Sequence, residues 1–175
     1  MRPPRGHSGP IVLAEPDPAW PQQYEEVAGR VRAALGPVAV DVEHVGSTSV
    51  PGLPAKPFLD VLLLVPDPAD EAAYVPLLED AGFLLHVREP DWHQHRFIRA
   101  HDPEVQIHVF AVGSGEAERM LLFRDRLRTH EGDRALYLEA KRRLAARHWE
   151  RVQDYADAKS EVVEAIIARA RAESD

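Results

Sequence analysis

Cysteine is absent from the 175 residues of this chain. That excludes disulfides, thiol nucleophiles and thiolate metal ligands. An excess of base is missing too: 21 Lys and Arg stand against 29 Asp and Glu, for a formal net charge of −8. Broad nucleic-acid binding needs a basic surface and is not expected, whereas a local basic pocket for a phosphorylated small molecule remains open. No apolar run is long enough to cross a bilayer, so no membrane partner is expected. The opening MRPPRGHSGP lacks the apolar stretch of a secretory signal, which points to a cytoplasmic protein with residues 1–10 as a flexible arm. What remains is a composition of 45% hydrophobic and 29% charged residues. That suits one globular domain over 11–175, with the oligomeric state left open.

The periodicity predicts a mixed α/β (α+β) domain. A short extended segment, IVLAEP, precedes a helix from Asp17, its candidate N-cap, to Gly36, with Tyr24, Val27, Val31 and Leu35 at helical spacing. VAVDVEHV alternates as a strand, placing Val40, Val42 and His44 on one face. PFLDVLLLV, apolar on both parities, reads as an interior strand. A helix is expected over 68–82, strands over 83–89, 95–100 and 104–112, and helices near 116–130, 132–148 and 150–172. Strands near 39–45, 57–65 and 104–112 are expected to share one sheet.

Asp60 is the anomaly in this pattern. It interrupts the run PFLDVLLLV and shares a strand face with Phe58 and Leu62, where a carboxylate is costly without a compensating partner. Either a structural Arg or Lys pairs with it, or it binds a metal or a ligand hydroxyl. Gly46 and Ser47 follow a strand, and a glycine at such a turn lets backbone N–H groups approach a phosphate; an ordinary turn is the alternative. Lys56, just before the Asp60 strand, is either a phosphate contact or a solvated charge. His108 in VQIHVF and His44 before the Gly-Ser turn are hydrogen-bonded core histidines or, together with Asp60, ligands of a transition metal. DWHQHRFIR gathers His93, His95, Arg96 and Arg99 as either a basic wall for an anion or a charge-protected edge strand. Arg124 and Arg128 form an i, i+4 pair expected on a solvated helix face. Lys159 sits amid Val152, Tyr155, Val163 and Ile166 on the inward side of the last helix. It either snorkels to solvent or reaches the pocket of Asp60.

The stretches EHVGSTSVPGLPAKPFLDV, HVF, LLFRDRLRTH and YADAKSEVV together closely resemble the GrpB family, from about Ile11 to the last helix. The resemblance implies a nucleotidyltransferase-like fold: a mixed β-sheet with packed helices and a helical C-terminal region. Some relatives of that family are fused to dephospho-coenzyme A kinase; no Walker-type loop is present here. In the wider superfamily a Gly-Ser turn binds nucleotide phosphates, and alternating carboxylates on the next strand hold the divalent metals of in-line phosphoryl chemistry. The resemblance therefore implies transfer of a nucleotidyl group from an NTP to a small acceptor, with Mg²⁺ or another divalent cation. Gly46, Ser47, Lys56, Arg99 and Lys159 would hold phosphates, Asp60 and His108 would be catalytic, and Asp60, His108 and His44 would meet the metal. The departure lies at Phe58, which occupies the place of the first carboxylate, and at Gln106 and His108, where a later acid is expected. The alternative is a non-catalytic nucleotide- or anion-binding module with a degenerate metal site, linked to coenzyme A metabolism.

Overall fold

The structure, a computed structural model, describes residues 12–174; the expected N-terminal arm lies outside them. One five-stranded mixed sheet has the order β1 (Asp41–Val45), β2 (Leu59–Val65), β5 (Glu104–Ala111), β4 (His95–His101), β3 (Leu84–Glu89). Only the β2–β5 pair is parallel. The expected strands near 39–45, 57–65 and 104–112 are therefore neighbours in one sheet.

Hydrophobic pattern decides which layer covers each face. Tyr24, Val27, Val31 and Leu35 give α1 (Trp20–Leu35) a buried stripe, packed on Val42, Val61, Leu63, Ile107 and Val109 with the short α2 (Val75–Asp80) beside it. On the opposite face Val45, Leu62 and Phe110 receive Ala117 of α3 (Gly115–Thr129). Then α4 (Glu131–Ala145) and α5 (Val152–Ser174) close with α3 over the loop that follows β1, burying Val50 and Leu53 against Leu127, Tyr137 and Ile166. No described helix is long and apolar enough to cross a membrane.

Two expectations are corrected. The helix expected over 68–82 is a single 3₁₀ turn, Glu71–Ala73, followed by α2, because Pro76 occupies the first turn and cannot continue a hydrogen-bond ladder from upstream. Tyr74 fixes that break by donating its hydroxyl to the Pro68 carbonyl at 2.6 Å. Asp17 is not the helix N-cap; its carboxylate accepts from the Ala19 N–H at 2.8 Å and turns the chain into α1, which starts with Pro21 in its first turn.

The three C-terminal helices are pinned to one another by a buried carboxylate. Asp133 of α4 accepts from Arg126 of α3 at 2.7 Å and from Arg169 of α5 at 2.5 Å. Burial pushes its pKa up, but the hydrogen bonds from Arg169 and Arg126 outweigh that and hold it below the ordinary aspartate value. Truncating one partner of such a network leaves buried charge uncompensated, so Asp133→Ala should cost about 3–5 kcal/mol in chemical denaturation. A folded pKa below the unfolded value means the stabilisation is complete above about pH 4 and is lost as pH falls through the folded pKa. The stability difference between wild type and Asp133→Ala should therefore shrink on acidification.

Candidate functional site

Topology sets the β1 turn on top of Asp60. Because β1 runs antiparallel to β2 and ends with Val45 opposite Asp60, the next residue, Gly46, lies directly against the Asp60 side chain. Gly46 has φ 73° and ψ −177°, a region that is essentially glycine-only. A Cβ there would stand 2.6 Å from Asp60 Oδ2 and 2.8 Å from Asp60 Cβ. The turn continues as one 3₁₀ turn, Ser47–Ser49, in which Ser49 Oγ donates to the Gly46 carbonyl at 2.5 Å. Arg128 donates to the Ser49 carbonyl at 2.9 Å, and Arg124 bridges Glu43 at 2.7 Å and the His44 carbonyl at 3.1 Å. The pair expected on a solvated helix face is thus what clamps the turn to α3.

Three lysines from three different segments gather near Asp60, and one of them reaches this turn. Lys141 of α4, buried, donates to Ser47 Oγ at 2.8 Å and to the Pro54 carbonyl at 3.1 Å. Lys56 and Lys159 hold their ammonium groups 5.0 and 5.5 Å from the Tyr155 ring centre, and Lys141 lies 5.2 Å from that of Tyr137. The lysines feel one another and Asp60. Burial, then repulsion from Lys159 and Lys56, pulls Lys141 down to about 7, with Asp60 opposing. Burial and Lys159 likewise lower Lys56. Lys159 moves the other way, held above the ordinary lysine value first by the Tyr137 phenol, against burial, with help from Tyr155 and Asp60. The Tyr155 hydroxyl between these helices is buried and has no hydrogen-bond partner among the described residues.

Asp60 faces a second set of groups on the sheet. His108 Nε2 lies 3.0 Å from Asp60 Oδ1, His95 Nε2 lies 3.2 Å from His108 Nδ1, and Glu89 Oε1 lies 3.0 Å from His95 Nδ1. Beside Asp60 and His108 opens a cleft of about 200 Å³ walled by Trp92, Phe110 and Met120, with Glu116 at its edge. Glu116 is tied to Arg119 at 3.1 Å.

The expected site residues therefore divide. Gly46, Asp60 and His108 line the same cleft, Ser47 meets Lys141 at the turn beside it, and Lys56 and Lys159 are close enough to feel the Asp60 charge without lining that cleft. His44 lies apart: its ring stacks on Tyr24 of α1 at 4.7 Å and meets Thr48 Oγ1 at 2.9 Å, on the other face of the sheet from Asp60. Burial, then Arg128, drives its pKa down to about 4, so it is neutral at physiological pH. The strand parity that put His44 beside Val42 was right; that face meets α1 rather than the pocket. Arg99 shares the Asp60 face but lies two strands away on β4, opposite Gln106, which itself lies opposite Asp60, and it sits 3.8 Å from Glu104. Lys141 escaped the sequence reading, yet Tyr137, Ala140, Lys141 and Leu144 form a buried stripe on α4, the same phase signal that singled out Lys159.

A divalent metal does not fit these residues. Phe58 leaves Asp60 without a second acid on its strand, and the Asp60 oxygen facing β5 is already engaged by His108. Among the described residues, no group of three or more His, Asp or Glu side chains is placed to hold a metal ion. A hard cation of the Mg²⁺ type needs oxygen ligands, and here three ammonium groups lie near Asp60 while the cleft's other carboxylate, Glu116, is paired with Arg119.

The model of the GrpB protein family matches residues 10–169. The chain belongs to the GrpB family. A UPF0157 protein of Halalkalibacterium halodurans is 52% identical over 95% of this chain and 85% of its own. The crystal structure of GrpB from Enterococcus faecalis superposes with a TM-score of 0.77 at 27% identity, covering 90% of this GrpB chain and 98% of that one. A dephospho-CoA kinase of Mycolicibacterium paratuberculosis is 33% identical over 76% of this chain, which spans 39% of that longer protein.

The fit of Gly46 against Asp60 is directly measurable. Gly46→Ala forces a Cβ into the Asp60 carboxylate and a non-glycine residue into a strained conformation, which should cost about 1–3 kcal/mol in denaturant unfolding. Gly113, with open space at its Cβ position, provides the matched control: its Ala variant carries the positive-φ cost alone and should lose less.

Proposed function

We propose that this protein binds a phosphorylated small molecule or nucleotide through Lys56, Lys141 and Lys159, with no requirement for a divalent metal. The observation that carries the reading is the gathering of three ammonium-bearing side chains around one carboxylate, Asp60, with Lys141 hydrogen-bonded to Ser47. Depressing two of three lysine pKa values is an energetic cost that a bound polyanion relieves, because its charge favours the protonated form of each. The unpartnered Tyr155 hydroxyl supports the same reading, since a phosphate oxygen would satisfy it.

Nucleotidyl transfer to a small acceptor, the activity the superfamily resemblance implies, requires a divalent cation between donor and acceptor oxygens. The lone carboxylate speaks against that step, so binding is the reading the geometry supports better. The similarity to dephospho-CoA kinases directs attention to ligands carrying a pyrophosphate linkage.

Isothermal calorimetry with pyrophosphate in the presence of EDTA tests the proposal. Wild type should bind, and Lys159→Met, which keeps the apolar stem, should bind roughly tenfold to a hundredfold more weakly, the worth of a charge-assisted hydrogen bond of about 1.5–3 kcal/mol. A Lys141 titrating at about 7 is mostly neutral at pH 8 and mostly charged at pH 6. Affinity should therefore rise about tenfold as pH falls across that range. Lys141→Met should remove that rise, leaving only the ligand's own titration. Binding that appears solely when Mg²⁺ is added would favour the transferase reading instead.

A further inference from the structure

Asp60, His108, His95 and Glu89 come from β2, β5, β4 and β3, the spatial order of four adjacent strands, and form a continuous hydrogen-bonded chain across the sheet. His95 and Glu89 are buried, as is His108; Asp60 alone is partly open, at 23% side-chain exposure. Counting protons gives the chain its property. Three contacts need three hydrogens, one in each, because no ring nitrogen or carboxylate oxygen can donate without one. Two neutral imidazoles supply only two. With all three contacts hydrogen-bonded, the chain therefore holds one proton more than two neutral histidines and two carboxylates, and carries a net charge of −1.

The third proton has two end positions. In one, Asp60 is a carboxylate accepting from His108 Nε2–H, His108 Nδ1 accepts from His95 Nε2–H, and the extra proton lies between His95 Nδ1 and Glu89. In the other, Asp60 is a carboxylic acid donating to His108 Nε2, His108 Nδ1–H donates to His95 Nε2, and His95 Nδ1–H donates to a charged Glu89. Conversion moves each hydrogen along its own hydrogen bond toward Asp60; none enters or leaves, and one negative charge passes from Asp60 to Glu89.

We propose that this chain is a proton relay that lets Asp60 change from carboxylate to acid when a phosphate group occupies the lysine cluster, with His95 and Glu89 as positioning residues acting through His108. The inference rests on the anion-binding reading above. The groups that face Asp60 set the bias: His108 on β5, Lys56 before β2, Lys141 on α4, Lys159 on α5, and Glu116 at the cleft on α3. Without an anion the lysines favour the Asp60 carboxylate. A bound phosphate neutralises them and repels that carboxylate, so the proton moves onto Asp60, which keeps its hydrogen bond to His108 Nε2 and no longer opposes the phosphate with a charge. An aspartate beside a polyanion is thereby neutral rather than repulsive.

The relay is read from the imidazole ¹⁵N shifts of uniformly labelled protein at fixed pH, with pyrophosphate as the probe and its binding measured by calorimetry on the same samples. On saturation His108 should change from the Nε2–H to the Nδ1–H form. Glu89→Gln can donate its amide hydrogen to His95 Nδ1, so two neutral imidazoles then complete the chain and Asp60 is held as carboxylate. That variant should show no tautomer change and bind pyrophosphate about tenfold more weakly, and the double variant Asp60→Asn, Glu89→Gln should recover wild-type affinity. A merely structural role for Glu89 would not be rescued by a change at Asp60. Pyrophosphate binding with an unchanged His108 tautomer overturns the relay alone, and no pyrophosphate binding by folded wild type overturns the anion reading and the relay with it. Should Glu89→Gln fail to fold, the wild-type tautomer measurement still decides.

Discussion

Three lysine side chains around a single carboxylate, one of them buried, is the constraint on which the rest of this structure depends. Like charges brought together in a medium of reduced dielectric repel unless some are neutralised. The protein meets that demand in three ways at once. Lys141 gives up its proton near neutrality, Lys159 leans on the Tyr137 phenol, and Asp60 supplies the one compensating charge. Under the proposed reading, a cluster so arranged is strained when alone and relaxed when an anion enters.

The architecture around it follows from bringing those groups together. The antiparallel β1–β2 pair ends where Asp60 begins to face the pocket, so only a glycine can cross above it. Helices α4 and α5 carry Lys141 and Lys159 in from the far end of the chain, and Asp133 fixes the two helices to α3 through Arg126 and Arg169. The α3 arginines in turn grip the Gly46–Ser49 turn. Sheet and helical layer are thus coupled through ion pairs as well as apolar packing, and the site sits at their junction.

Much of this was legible in the sequence, and the failures have physical causes. Strand parity isolated Asp60 because a charge within an apolar run has to be compensated, and helical phase isolated Lys159 for the same reason. Phase would also have found Lys141, whose stripe with Tyr137 and Leu144 is as regular but lies in a helix dense in other charges. His44 was misassigned because alternation says which residues share a face and nothing about what covers it; that face belongs to α1 and Tyr24. The relay from His108 to Glu89 was beyond reach, since its members lie on four strands whose order depends on long-range pairing. The helix expected over 68–82 failed at Pro76, where local chemistry outweighed an amphipathic pattern.

The claim that matters most is where an anion sits. A crystal structure of the protein grown with pyrophosphate and a chelator tests it most directly. The account predicts a phosphate group within hydrogen-bonding distance of Lys56, Lys141 and Lys159, beside Ser47 and with the Tyr155 hydroxyl satisfied. Pyrophosphate bound at another surface, with the three lysines left facing only one another and Asp60, would contradict it.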